Sequence, residues 1–222
     1  MCGRLVSAQP LAVIAAQFDI DEVVLDTLPP RYNVAPTAVV PAVASTRSGR
    51  RLGAMSWGLV PPWADDPTTG PRPINARAET IAEQPLFAEA LVRRRCVVPA
   101  DGFYEWRTSP DGTKQPFYLS MNDGSLLALA AVWERWERRG APALVSCAIV
   151  TTPANETVRP LHDRMPAVLM GHALDQWLDP GRRDRRSLQP LLQPLPTGAL
   201  TVTPASRLVN STANDSPALL SA

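Results

Sequence analysis

Proline is the residue that most constrains the fold of this chain. The sequence contains 24 prolines in 222 residues, about twice the usual share. Because a proline inside a helix removes a backbone hydrogen bond and clashes with the preceding turn, long helices are disfavoured. The chain has the composition of a globular protein, and its length allows one domain or two small ones. The prolines therefore argue against an all-helical bundle.

Short apolar runs separated by turn residues predict a fold rich in short strands. We predict strands at 38–44, 52–60, 96–100, 103–106, 117–121, 126–133, 143–151 and within 200–209. We predict short helices at 9–18, 79–94 (interrupted early by Pro85), 172–179 and 187–193, and loops at 61–73 and 179–187. Without a βαβ rhythm, the pattern favours a single α+β domain over residues 1–222 with a curved, mostly antiparallel sheet and peripheral short helices.

The rare residues exclude several classes of protein. Cys2, Cys96 and Cys147 are odd in number and far apart, which argues against a disulfide framework. No Cys-x-x-Cys or His-x-x-x-His spacing is present, so we expect no metal ion, and we expect no cofactor either. The sequence has no apolar run of about 18 residues and no signal-peptide pattern. We therefore expect no membrane span and a reducing, cytoplasmic location.

The basic residues are almost all arginine. Lys114 is the only lysine among 22 basic residues, and the net charge is +1. This balance argues against broad electrostatic attraction to DNA, although local arginine clusters can bind phosphates. Any amine chemistry has to use Lys114 or the N-terminus. A biased codon supply explains the scarcity of lysine equally well.

Cys2 becomes the first residue of the chain if the initiator methionine is removed, as is common before a small residue. Its thiol and its α-amine ordinarily have pKa values of about 8.5 and about 7.7–8, so both are partly available near neutral pH. The pair suits an aldehyde, because the amine can form a Schiff base and the thiol can then close a thiazolidine ring intramolecularly. Taken alone, a cysteine at this position is equally compatible with an incidental role.

Two further polar residues lie in apolar surroundings. Glu105 shares one face of a predicted strand with Phe103, and burial of that face would raise its pKa, which suits a general acid–base role. His162 precedes an apolar run and can shuttle protons near neutrality. An exposed Glu105 and a structural His162 remain alternatives. For the other histidine, His172, we expect a surface or capping role.

Asn75 and Arg77 alternate with an apolar residue ahead of a predicted helix. This spacing places the amide and the guanidinium on one side of the backbone. Such a pair can orient a sugar hydroxyl and a phosphate. The alternative is that both residues form only the lead-in to the helix.

Eight segments resemble, in order, those of a known family. They are MCGR (1–4), RYNVAPT (31–37), WGLVPPW (57–63), PINARAET (73–80), CVVPADGFYEW (96–106), IVTT (149–152), LHDRMPAVL (161–169) and PASRLVN (204–210). Each segment is weak alone. Together they make the chain similar to the SOS response-associated peptidase family over nearly its whole length.

The resemblance implies both a fold and a function. Members of this family shield abasic sites in single-stranded DNA by linking an N-terminal cysteine to the open-chain sugar aldehyde. They are also assigned a peptidase-like removal of the initiator methionine. The implied fold is a twisted β-barrel-like sheet with a positively charged groove. We accordingly expect single-stranded DNA containing abasic sites as the partner, a monomeric chain, and association with the nucleoid when DNA is bound.

The family motifs also assign roles to individual residues. By this resemblance Cys2 is the crosslinking nucleophile, Asn75 positions the N-terminus or the sugar, Glu105 is the acid–base group, and His162 assists ring opening, Schiff-base chemistry or reversal. The DNA contacts fall on Arg4, Arg77 and Arg164, with Thr151 nearby, and on Trp63 and Trp106, which can stack on bases.

The chain departs from the family pattern at two places, and two other functions remain open. An insertion at 65–70 lengthens the loop after Trp63. Met165 stands where a second basic or polar residue can occur. The first alternative function is an N-terminal-nucleophile amidohydrolase of the glutaminase type, which also begins Cys-Gly. The second is a single-stranded DNA binder without chemistry at Cys2.

Overall fold

Strands dominate the computed structural model, which describes residues 2–222. They are β1 (Leu5–Ser7), β2 (Glu22–Val23), β3 (Arg31–Val34), β4 (Val39–Thr46), β5 (Gly49–Trp57), β6 (Asn75–Arg77), β7 (Arg95–Ala100), β8 (Gly102–Thr108), β9 (Lys114–Met121), β10 (Leu127–Trp136), β11 (Leu144–Pro153), β12 (Arg164–Pro166) and β13 (Leu200–Pro204). The α-helices are α1 (Leu11–Gln17), α2 (Pro85–Arg93), α3 (His172–Leu178) and α4 (Arg185–Leu188), and 3-10 turns span Gln189–Leu191, Arg207–Asn210 and Pro217–Leu219.

The strands form two twisted sheets. The first has the order β13-β9-β8-β1-β3, and the second has the order β12-β11-β10-β7-β4-β5-β2 with β6 beside β11. An additional pairing of β11 with β5 closes β11, β10, β7, β4 and β5 into a ring. The pairs β11–β5, β11–β6 and β2–β5 are parallel, whereas the main hairpins are antiparallel. The predicted α+β class with a mostly antiparallel sheet is confirmed, and the expected barrel-like shape takes the form of this ring.

The strands of the ring are apolar on both faces because each face packs against a different core. In β10, Leu127, Leu129 and Ala131 point into one buried cluster, which also contains residues of the first sheet. The alternate residues of the same strand point into a second cluster that α1, α2 and α3 cover. Successive side chains of a strand point to opposite faces, so one continuous apolar run can fill both cores.

Pro85 begins a helix instead of interrupting one. The prediction of a helix over 79–94 is wrong for its first residues, because 78–83 form turns and α2 begins at Pro85. Proline is favoured at the first helical position, where its missing N–H group would have no partner. No helix in the described part of the chain is long and apolar enough to cross a membrane.

Three predictions near the C-terminus also need correction. The predicted loop 179–187 ends early, because Asp184 caps α4 by accepting a hydrogen bond from the Arg186 backbone N–H at 3.2 Å. The predicted helix 187–193 is only the end of α4 and a 3-10 turn that contains Pro190. The last strand ends at Pro204, and Ser206 then caps a 3-10 turn.

A C-terminal segment, residues 205–219, covers the outer face of the first sheet. Its apolar residues pack against Val6 and Tyr104. The buried side chain of Asn33 on β3 donates hydrogen bonds to three of its backbone carbonyls, those of Val209, Ser211 and Asn214, at 3.2, 2.9 and 2.7 Å. This segment therefore fixes β1 and β3, which carry the residues around the N-terminus.

Candidate active site

The N-terminal residues run beside β8 and bring Cys2 to Glu105. The carbonyl of Arg4 accepts a hydrogen bond from the Tyr104 backbone N–H at 3.0 Å, which extends the β1–β8 pairing towards residue 2. The Cys2 side chain is fully buried in the same cluster as Phe103. Glu105 lies on the face of Phe103 and is 3% exposed, so the alternative of an exposed carboxylate is excluded. Met1, whose removal the sequence analysis expects, lies outside the described residues.

Burial governs the protonation of both groups. It raises the pKa of the Cys2 thiol well above its usual range, and the neighbouring Glu105 carboxylate raises it further. Burial also raises the pKa of Glu105, an effect that His162 opposes and Asp163 reinforces. Each group therefore holds its proton more strongly than in water. A thiol kept neutral beside a carboxyl with a raised pKa is suited to reactions in which protons move between the two.

His162 lines a cleft of about 380 Å³ together with Glu105 and Trp106. Its Nδ1 atom accepts a hydrogen bond from the Arg164 backbone N–H at 2.9 Å and lies 2.8 Å from a carboxylate oxygen of Asp163. The first contact needs a neutral ring, because an accepting nitrogen carries no proton, whereas the second is favourable for the imidazolium. These two contacts fix the orientation of the ring at the cleft.

Strand β6 presents Asn75 and Arg77 on one side, while Ala76 between them is buried. The strand runs parallel to β11, with Asn75 opposite Ile149. The Asn75 amide donates to the Ile149 carbonyl at 3.5 Å, and its buried Oδ1 accepts no hydrogen bond from the described residues. An unpaired buried acceptor is costly, and an amine or a sugar hydroxyl can satisfy it.

Arg164 is already held by a carboxylate. Its two terminal nitrogens donate to the two oxygens of Glu79 at 2.6 and 2.9 Å, and one of them also donates to the Thr151 carbonyl at 2.6 Å. The same hydrogen bonds lower the pKa of Glu79. A phosphate at this position has to share Arg164 with Glu79. Arg77, by contrast, is exposed, and its side chain makes no hydrogen bond to residues 2–222.

Arg4 and Trp106 lie together under the C-terminal segment. The Arg4 guanidinium donates to the side chain of Asn33 and to the Val209 carbonyl, and it lies 5.9 Å from the centre of the Trp106 ring. The Trp106 indole donates to Asn210 at 2.8 Å. Both side chains are therefore fixed in orientation, and only part of each is exposed.

The candidate residues fall into two groups that meet at His162. The group on the first sheet contains Cys2, Arg4, Glu105 and Trp106, and the group on the second sheet contains Asn75, Arg77, Thr151 and Arg164. The hydrogen bond between His162 and the backbone of Arg164 connects the two groups. Trp63 is 59% exposed in the loop between β5 and β6, and no hydrogen bond between described residues ties its side chain to either group.

Three residues of this region were not assigned a site role from the sequence. Glu79 holds Arg164, Asn33 holds Arg4, and Lys114 lines the cleft beside Glu105. Glu79 and Asn33 lie within the family-like segments 73–80 and 31–37, and this position is the sequence signal that points to them. Local sequence gives no signal for Lys114, because its place in the cleft depends on the β8–β9 register. In the described part of the chain, no group of three His, Cys, Asp or Glu side chains is arranged to hold a metal ion.

Comparison with known proteins connects this geometry to a family. Residues 1–212 match the family model described as SOS response associated peptidase (SRAP). The abasic site processing protein YoaM of Bacillus subtilis is 41% identical over 223 residues, covering 100% of this chain and 98% of that protein. YoqW, a protein of the same description from B. subtilis, is 40% identical over 221 residues, covering 99% of each. The abasic site processing protein HMCES of Xenopus tropicalis is 32% identical over 228 residues, covering 89% of this chain and 67% of that protein.

Solved structures share the fold. A crystal structure of a protein from Bacteroides thetaiotaomicron superposes with a TM-score of 0.88 at 26% identity, covering 99% of this chain and 98% of that one. A phage-related protein from Bordetella bronchiseptica gives a TM-score of 0.72 at 26% identity, covering 93% and 95%. Fold and site together define a class of two-sheet proteins with a buried cysteine at position 2 beside a buried glutamate. The chain belongs to the SOS response associated peptidase family.

Proposed function

We propose that this protein processes abasic sites in single-stranded DNA by linking Cys2 covalently to the lesion after Met1 is removed. The observation that carries the proposal is the burial of Cys2 beside Glu105, with His162 at the same cleft. Relatives that cover nearly the whole chain are named abasic site processing proteins, which supports the substrate class.

The proposed reaction needs no oxidant or reductant. Hydrolysis of the Met1–Cys2 peptide bond consumes one water, releases methionine and frees the α-amine of Cys2. This amine adds to the aldehyde of the open-chain abasic sugar, and loss of one water gives an imine. The thiol then adds across the C=N bond, its proton passes to the nitrogen, and the ring closes as a thiazolidine. The intermolecular step is the first addition, and the closure is intramolecular and fast.

Glu105 and His162 supply the proton transfers. Loss of water from the first adduct requires a proton on the leaving oxygen, and a carboxyl group with a raised pKa can donate it. The neutral Cys2 thiol must lose its proton as sulfur attacks, and the resulting carboxylate or the imidazole can accept it. The free Oδ1 of Asn75 is suited to holding the amine or a sugar hydroxyl.

The remaining candidates bind the DNA strand in this proposal. Arg77 is exposed and free to contact a phosphate, and Arg164 contacts one while shared with Glu79. Trp106 offers a fixed ring beside the cleft, and the exposed indole of Trp63 can stack on a base. A single-stranded lesion suits this site because the sugar is already unstacked.

The test is a denaturing gel of the protein incubated with a single-stranded oligonucleotide that contains one abasic site. Wild type should give a shifted band whose mass is that of the chain without Met1 plus the DNA, less one water. Cys2→Ala should give no such band. Cys147→Ala is the matched control, because Cys147 is equally buried in the same cluster yet has no role in the reaction, and its band should remain.

Two results would overturn the proposal. One is the absence of an adduct with wild type that has lost Met1. The other is an equal yield from Cys2→Ala, which would place the reactive group elsewhere. Tight binding to intact DNA without any adduct would instead support the non-catalytic binder.

A further inference from the structure

Lys114, the only lysine of the chain, lies at the cleft that contains Glu105 and His162. The cleft has a volume of about 380 Å³, and its other lining residues are Trp106, Thr108 and Leu161. Lys114 begins β9 and pairs with Thr108 at the end of β8. Thr108 is three positions along β8 from Glu105, which corresponds to about 10 Å along the strand. Lys114 therefore lines the part of the cleft that lies about three strand residues away from Glu105.

Lys114 is an uncommitted cation. Its side chain is exposed and forms no hydrogen bond or ion pair with residues 2–222. Two other cations of the region are engaged: Arg164 is held by Glu79, and Arg107 lies over the Phe117 ring at 4.9 Å. An exposed ammonium without a protein partner is available to an anionic ligand.

The charges around the cleft favour a phosphate as that ligand. The exposed carboxylate of Asp163 beside His162 repels a DNA backbone that passes over it. A cation that lines the same cleft offsets this repulsion. A compact ammonium binds phosphate as a point charge and tolerates varied backbone geometry.

We propose that Lys114 binds a DNA phosphate adjacent to the abasic nucleotide. The inference rests on the proposed function, because that function places the lesion in the cleft. It makes Lys114 a DNA-binding residue rather than a second aldehyde-reactive amine.

The experiment measures non-covalent affinity as a function of salt. Fluorescence anisotropy with single-stranded DNA that carries a tetrahydrofuran abasic analogue, which has no aldehyde, separates binding from chemistry. Each phosphate contact contributes about 0.7 to the slope of log K against log salt for single strands. Lys114→Ala should weaken binding several-fold at low salt and reduce the slope by about 0.7, whereas Lys114→Arg should keep the wild-type slope.

Arg47→Ala is the matched control. Arg47 is also exposed, makes no side-chain hydrogen bond among the described residues, and loses the same single charge on substitution. It lies in the β4–β5 turn, at the far end of β5 from Trp57. Its affinity and slope should equal those of wild type.

Any one of three outcomes overturns the inference. An unchanged slope in Lys114→Ala, or an equal decrease in Arg47→Ala, removes the phosphate contact. An adduct that Cys2→Ala forms with true abasic DNA after borohydride reduction, mapped to Lys114, would show an imine-forming amine instead. If wild type forms no covalent adduct at all, the proposed function fails, yet the slope comparison still decides the role of Lys114.

Discussion

The central residues of this site are two buried groups that titrate. Cys2 is fully buried and Glu105 is almost so, and burial raises the pKa of each. Burying a carboxyl group in an apolar cluster is unfavourable for folding once the group ionises. Such a group is typical of a functional site, where chemistry is favoured at the expense of stability.

Glu105→Gln should therefore make the protein more stable at neutral pH while slowing its chemistry. Because the folded-state pKa of Glu105 lies above the ordinary 4.5, its contribution to stability is full below that pH and is lost as pH rises through the folded pKa. Wild type should lose unfolding free energy relative to Glu105→Gln from about pH 4.5 upward. Urea unfolding of both proteins across this range measures the difference. The rate of adduct formation should decrease by about 10²-fold or more.

Glu134→Gln provides the comparison for the rate. Burial also raises the pKa of Glu134, which lies on β10 outside the cleft. This carboxylate is paired with Arg94. Its substitution should leave adduct formation unchanged. If Glu105→Gln forms adduct as fast as wild type, Glu105 has no acid–base role.

At the scale of elements, the position of Glu105 depends on how closely β8 approaches β9. Gly102 begins β8, and a Cβ atom there would lie 2.4 Å from the Leu119 carbonyl oxygen and 2.4 Å from the Tyr118 ring. Both distances are too short for normal packing. The Leu119 oxygen belongs to the backbone, so it cannot move aside as the end of a flexible side chain can. The strand pair therefore requires glycine at this position for steric reasons.

Gly102→Ala should displace β8 and with it Glu105. Overpacking of this kind costs about 1–3 kcal/mol, so the urea midpoint should decrease and adduct formation should slow. Gly181→Ala is the control, because Gly181 has an ordinary φ and the Cβ would meet only the exposed side chain of Asp179. Wild-type stability and rate in Gly102→Ala would contradict this account of the strand pair.

The sequence predicted long strands well and short ones poorly. β10 and β11 have ten residues each and contain most of the apolar runs at 126–133 and 143–151 that predict them. β1, β6 and β12 have three residues each, which is too short for a period-2 pattern to be recognised. These short strands carry much of the site, since they are held by pairing with neighbours distant in sequence and not by their own pattern.

The candidate site, like the fold, was predictable only in part from the sequence. Residues within family-like segments, such as Cys2 and Glu105, could be named from the resemblance. Their burial could not, because it depends on packing between strands that are distant in sequence. The ion pair of Arg164 with Glu79 joins residues 85 positions apart and depends on β12 pairing with β11. The place of Lys114 depends on the β8–β9 register in the same way. Neither could be inferred from local sequence.

At the scale of the whole molecule, β11 connects the ring to the site. It pairs with β10 and β5 within the ring, and with β6 and β12, which carry Asn75, Arg77 and Arg164. One rigid strand therefore fixes residues from separate parts of the chain against each other. With a net charge of +1, DNA binding has to come from such local placement of cations and not from an overall positive field.

This leads to a prediction about the location of charge. Arg47 lies beyond the start of β5, about 26 Å along that strand from Trp57, which pairs with β11 beside the site. This distance exceeds the length of about 8–10 Å over which salt screens a charge at physiological ionic strength. Arg47→Glu changes the net charge from +1 to −1, yet its rate of adduct formation at 0.15 M salt should equal that of wild type.

Arg77→Ala changes the net charge only from +1 to 0, but it removes an exposed cation beside Asn75. Its affinity for single-stranded DNA should decrease several-fold, and the slope of log K against log salt should decrease by about 0.7. If Arg47→Glu weakened binding more than Arg77→Ala, the total charge of the molecule would control association. The opposite order, measured by anisotropy on the same oligonucleotide, would show that the cations placed by β6 and β11 do so.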